Sequence, residues 1–132
     1  MILKKIWTNG CFDVLHIGHI KMLEKAKSRG DILIVGIDSD SRVKSLKGSD
    51  RPYNNENDRM EFLKSIRFID EVFIFGSEKE MEDLVLSLGI DEIVVGEEYK
   101  DRNVVGSIHA PVYFFPRIGD YSTSKILRSA DI

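Results

Sequence analysis

"TNGCFDVLHIGHIKM", residues 8–22, joins a strand-like apolar run to a helical one through two glycines and two histidines three residues apart. Upstream, residues 3–8 read as a strand, and Asn9 with Gly10 marks a tight turn directly after it. Downstream, Ile17, Ile20, Leu23 and Ala26 recur every three residues, a helical stripe that Gly30 is placed to end. Such a turn lets backbone amides approach a ligand, and the first N–H groups and positive dipole end of the helix face the same region. A phosphate fits that arrangement.

Beyond this unit, "DILIVGI" at 31–37 and "EVFIFG" at 71–76 are short apolar runs that suit strands covered on both faces. A second helix is expected near 55–67, with Met60, Leu63 and Ile66 or Arg67 on successive turns and Asn55 or Asn57 as cap. A third, from about Glu80 to Leu88, precedes Gly89 and the strand "DEIVVG" at 91–96; "PVYFFP" at 111–116 is a last extended run and "STSKILRS" at 122–129 a last helical turn or two. The alternation predicts an α/β fold: a doubly wound, mostly parallel sheet of five strands. Its crevice opens above the turns after residues 8, 38 and 96. The polar stretch 39–58, weakly patterned for a core, is expected to be a functional loop or a short helix plus loop.

At 132 residues and 42% hydrophobic composition, residues 1–132 are expected to form one domain. Nineteen Lys and Arg against twenty-two Asp and Glu give a net charge of −3, so no nucleic-acid partner is expected and any anion must be met locally. The single cysteine, Cys11, excludes an internal disulfide and a cysteine-rich zinc site. "MILKKIWTNG" is too short and polar for a signal peptide, and no apolar run reaches membrane-spanning length. A cytoplasmic setting without membrane contact is the expectation.

His16 and His19 admit three readings. Metal ligation needs a third ligand, and neither an HExxH pattern nor a cysteine pair exists, while His109 is distant in sequence; no metal site is expected. Core histidines satisfied by backbone hydrogen bonds are the second reading. Hands for an anion are the third, favoured by the turn, the helix start, and Lys44, Lys47, Arg51, Arg59 and Arg117 spread along the later loops. The pattern is neither a Walker loop nor a GxGxxG fingerprint. Cys11 sits in a tight apolar stretch and takes no catalytic role, whereas Asp13 suits orientation of the turn and Asp38 either an acceptor hydroxyl or a cap.

"GCFDVLHIGH" carries the HxGH motif of the superfamily that includes small cytidylyltransferases, pantetheine-phosphate and nicotinate-mononucleotide adenylyltransferases and class I aminoacyl-tRNA synthetases. With "LKGSDRPYNNENDR", "VVGEEY" and "YSTSKIL", essentially the whole chain resembles the adenylyltransferase domain of bacterial heptose-phosphate enzymes, with glycerol-3-phosphate cytidylyltransferase the nearest alternative. The resemblance implies a Rossmann-like nucleotidyltransferase in which His16, His19 and Lys47 are catalytic. It implies nucleotide contacts from Asn9, Gly10, Cys11, Phe12, Gly18, Lys44, Arg59, Glu98, Arg117, Tyr121, Ser122, Thr123 and Ser124. Two positions depart from the pattern: Glu98 stands where relatives commonly have Asp, and Ser124 ends an "STS" that is often "STT".

The implied reaction transfers a nucleoside monophosphate from ATP, with CTP or GTP as alternatives, to D-glycero-D-manno-heptose 1-phosphate, giving ADP-heptose and pyrophosphate for surface-polysaccharide precursors. Mg²⁺ would be held mainly by the nucleotide phosphates. The resemblance also implies a homodimer. A nucleotide-binding regulatory module without turnover is the competing, non-enzymatic reading.

Overall fold

Strands covered on both sides bury every side chain along them, and the computed structural model, which describes residues 2–116, builds its sheet from such runs. The strands are β1 (Lys5–Gly10), β2 (Ile32–Asp38), β3 (Glu71–Phe75), β4 (Glu92–Gly96) and β5 (Val112–Phe115). The helices are α1 (Ile17–Ser28), α2 (Asp40–Lys47), α3 (Glu56–Lys64) and α4 (Glu78–Ser87), and a single 3₁₀ turn, Glu97–Tyr99, follows β4. The sheet runs β3-β2-β1-β4-β5 and all four pairings are parallel. It is a Rossmann-like α/β sheet.

Alternation along the strands sorts the core into two layers. Ile6, Leu33, Val35, Ile37, Val72 and Val94 pack with Leu23 and Ala26 of α1 and Leu63 of α3 on one face. Trp7, Ile34, Phe75, Ile93 and Val95 pack with Met81 and Val85 of α4 on the other. The order of strands reverses at β1, from which the chain builds outward to β3 and then returns to lay β4 and β5 on the opposite side. That switch point is where a crevice forms. The ladder from β1 to β2 continues to Gly10↔Ile37, whereas the ladder to β4 ends at Trp7↔Ile93. Asn9 and Gly10 therefore line an opening between β1 and β4.

Three local expectations change, at Asn9 and Gly10, at Gly30 and along the stripe of α1, while 39–58 is a short helix plus loop as expected. Asn9 and Gly10 are the last residues of β1, because they pair with Gly36 and Ile37; the backbone turns at Phe12 instead, at φ 50. Gly30 does not end α1 through a left-handed conformation: Arg29 caps the helix, and Gly30 is small because a Cβ there would meet Ile6 Cγ1 at 2.7 Å and the Lys4 carbonyl oxygen at 2.9 Å. Only Leu23 and Ala26 of the apolar stripe on α1 are buried, and Ile17 is 45% exposed, so the helix packs on the sheet through its second half. The polar 39–58 stretch contains α2, capped by the Ser39 side chain, and it buries Val43 alone. α3 and α4 start at the caps Asn55 and Ser77, each accepting from a backbone amide three residues on. The segment 122–129 lies outside the described residues.

Candidate active site

The first turn of α1 is closed by its own histidines. His16 is the N-cap, and its Nδ1 accepts from the Gly18 amide at 3.1 Å; the His16 amide in turn donates to His19 Nδ1 at 3.1 Å. This reciprocal pair is a capping box made from imidazoles in place of a hydroxyl and a carboxylate. Gly18 is required by it, because a Cβ there would lie 2.8 Å from His16 Cε1 and 2.9 Å from Nδ1. The two rings stack with centroids 3.8 Å apart, and Phe12 packs against His19 at 5.3 Å.

Capping decides the protons. A nitrogen that accepts from an amide carries no hydrogen, so each neutral ring is protonated at Nε2 and is a donor there. Burial, then His16, then Lys47 push the His19 pKa down to about 4, so His19 is neutral near pH 7 and offers a hydrogen bond rather than a charge. One nitrogen of each ring thus holds the backbone at the start of α1, as the backbone-bonded reading expects. Among the described residues no three His, Cys, Asp or Glu side chains cluster as a metal site.

Lys47 ends α2 and lines a cavity of about 220 Å³ with Asn9, Cys11, Asp38 and Arg42, closed by Met81, Val95, Tyr99 and Val104. Its charge also lowers the His19 pKa. Lys44, one turn earlier, is exposed and is not part of that wall. Burial raises the Cys11 thiol pKa, against the opposing pull of Lys47 and Arg59, leaving a protonated thiol. Tyr99 is likewise raised, by burial and then by Glu98. Glu98 is exposed and curls back over Gly96, where a Cβ would crowd its carboxyl group.

Arg59 departs most from expectation. It is 0% exposed, and its Nε and Nη groups donate to the carbonyls of Asn54, Cys11 and Asp38 and to Asp40 Oδ1, at 2.7–3.0 Å. Four of its five N–H donors are thereby engaged inside the protein, so it is a strut behind the crevice and not an open phosphate contact. Asp13 is a second strut: its carboxylate accepts from the amides of Tyr53 and Asn54 at 2.6 and 2.7 Å, with Arg51 at 3.5 Å. Arg42, unassigned from the sequence, reaches Asp38 Oδ1 at 2.8 Å. Its spacing four residues after Asp38 was the available signal. Arg117, Tyr121, Ser122, Thr123 and Ser124 lie outside the described residues.

A helix start capped by the two histidines of the HxGH motif, set at the switch point of an all-parallel sheet, is that of a Rossmann-like domain, and its family match puts it in the nucleotidyltransferase class. More narrowly, the chain belongs to the cytidylyltransferase-like family, whose match spans residues 7–128. It is 48% identical over 125 residues to the bifunctional protein HldE of Campylobacter jejuni subsp. doylei, covering 94% of this chain and 27% of the relative. The corresponding protein of Nitratiruptor sp. is 50% identical over 102 residues, 77% of this chain and 22% of the relative. The chain thus spans about a quarter of the length of these relatives.

Among solved structures, the lipopolysaccharide core biosynthesis protein from Thermoplasma volcanium superposes with a TM-score of 0.69 at 26% identity, covering 91% of this chain and 99% of that one. Pantothenate synthetase from Thermus thermophilus, at 12% identity and TM-score 0.66 over 92% of this chain and 60% of its own, shares the fold.

Proposed function

We propose that the chain transfers the adenylyl group of ATP to D-glycero-D-manno-heptose 1-phosphate, producing ADP-heptose and pyrophosphate. The observation that carries the reading is the pair of histidines anchored through Nδ1 at the start of α1, with Lys47 close enough for its charge to lower the His19 pKa and itself on the wall of the crevice. An oxygen of the acceptor phosphate attacks the α-phosphorus. The bond from that phosphorus to the bridging oxygen breaks, and pyrophosphate leaves with the electron pair. The nucleophile is already ionised, so no side chain has to remove a proton. His16 and His19 donate to the oxygens around the reacting phosphorus, and Lys47 holds the acceptor phosphate next to it.

Magnesium fits this site through the nucleotide: the described residues supply no three-ligand cluster, so phosphate oxygens and water would hold it and it would screen their charge. The heptose choice is supported by the resemblance of "LKGSDRPYNNENDR" to the heptose-phosphate branch and by the likeness to a lipopolysaccharide core biosynthesis protein. A cytoplasmic homodimer belongs to the same proposal. The test crosses ATP, CTP, GTP and UTP with heptose 1-phosphate, glycerol 3-phosphate and other sugar 1-phosphates, following pyrophosphate and identifying products by mass. ATP with heptose 1-phosphate is the expected pair. Preference for CTP with glycerol 3-phosphate would replace the substrates and keep the mechanism, and nucleotide binding without turnover on any pair would leave a regulatory module.

A further inference from the structure

Trp7 and Asn9 point to the same side of β1, and the indole Nε1–H donates to Asn9 Oδ1 at 3.1 Å. An indole nitrogen only donates, so the atom it meets is the amide oxygen and the Asn9 –NH₂ is turned away from it. Asn9 lines the cavity, and among the described residues its –NH₂ makes no hydrogen bond. The indole is itself fixed. It is fully buried, it packs in the layer containing Phe75, and it fills the space that Gly36 leaves on β2, where a Cβ would collide with Cζ2 and Cη2. Because the ladder to β4 stops at Trp7, the next outward residue on this face is Asn9, at the edge of the opening.

Beside it on the cavity wall stand Asp38 and Glu78, which accept, Arg42 and Lys47, which carry positive charge, and the neutral Cys11 thiol and Tyr99 hydroxyl. Asn9 is the neutral amide among them, with a donor whose direction is set by its neighbour. A phosphate is met by the cations, whereas a hydroxyl or ring oxygen needs a directional neutral donor. We propose that Asn9, which the resemblance assigns to the nucleotide, instead donates from Nδ2 to an oxygen of the sugar-phosphate acceptor and helps set acceptor specificity, with Trp7 as the positioning residue that selects this orientation. The assignment rests on the transferase reading above.

Calorimetry with D-glycero-D-manno-heptose 1-phosphate and, separately, with ATP tests it on the full chain. Asn9→Ala should weaken heptose 1-phosphate about tenfold and leave ATP unchanged, as expected for loss of one hydrogen bond to the acceptor. Trp7→Phe should weaken heptose 1-phosphate on its own yet add nothing when combined with Asn9→Ala, whereas a purely structural role would give the same loss in both backgrounds. Should Trp7→Phe fail to fold, Asn9→Asp decides: it keeps an oxygen for the indole and turns a carboxylate oxygen to the cavity, so unchanged heptose 1-phosphate affinity overturns the assignment. Equal loss for ATP, additive effects, or no heptose 1-phosphate binding by the unaltered chain also overturn it. Pyrophosphate release is followed in parallel: binding without turnover removes the transferase reading, while the variant pattern still decides for or against Asn9 and Trp7.

Discussion

A histidine that holds the backbone of a helix start through Nδ1 is fixed in tautomer and position by that hydrogen bond, while the charge of His19 is set by its burial and its cationic surroundings. His16→Ala or His19→Ala should lower turnover by about 10²–10³-fold, the usual loss when a transition-state donor is removed. His16→Ala should also cost about 1 kcal/mol of stability, measured by urea unfolding, because it removes the N-cap acceptor. The pH dependence separates the roles. The His19 pKa is about 4 in the folded chain against an ordinary 6.5, so between those values the unfolded chain binds more protons. Stability contributed by neutral His19 is complete above pH 6.5 and is lost as pH falls toward 4. His19→Asn retains an acceptor for the His16 amide and removes the titration, so its unfolding free energy should fall less across that window than that of the unaltered chain. An identical pH slope in both would show that His19 is not held neutral by the fold. Sequence spacing places both histidines at a helix start, but it does not specify which nitrogen the backbone takes, since that depends on the ring folding over Gly18.

At the scale of elements, the strands are legible because a run buried on both faces must be apolar throughout, and β2, β3 and β4 fall within a residue or so of the expected runs. α2 is less legible: eight residues with one buried side chain leave no stripe, and its position follows from Ser39 capping and from contacts with α3. Arg59 joins these pieces. Its guanidinium holds the carbonyl after β1, the carbonyl ending β2 and the first residue of α2, so the histidine turn and the Lys47 helix are fixed to one point. A sequence reading sees a basic residue near a helix start and cannot see that it faces inward. Arg59→Met should destabilise the chain by about 3 kcal/mol in urea unfolding, because several buried acceptors lose a charged donor together. Arg59→Lys should recover little of that, since one ammonium cannot span the planar fork. Full stability of Arg59→Met would contradict the strut, and weakened nucleotide binding at unchanged stability would restore the phosphate role expected from its position.

Across the whole molecule, a chain of net charge −3 has to gather anions with local groups, and within the described residues Lys47 and Arg42 meet Asp38 and Glu78 at the same cavity. The family signature in the first thirty residues was legible because HxGH needs only four positions, while the cavity was not: its walls come from β1, β2, α2, α4, β4 and the loop near Val104, brought together only by folding. That division also governs the metal. Without a clustered set of ligands among the described residues, magnesium has no strong reason to bind before the triphosphate does, and its affinity should follow that of the nucleotide. A chelator should therefore abolish pyrophosphate release, and added Mg²⁺ should restore it, while the melting temperature of the nucleotide-free chain stays the same with and without chelator. With ATP present, Mg²⁺ should raise that temperature, because a ligand bound only by the folded state stabilises it by mass action. Loss of stability on chelation of the nucleotide-free chain would reveal a protein-held metal. Full turnover in metal-free solution would remove magnesium from the reaction and leave Lys47, the histidine donors and the start of α1 to carry the phosphate charge alone.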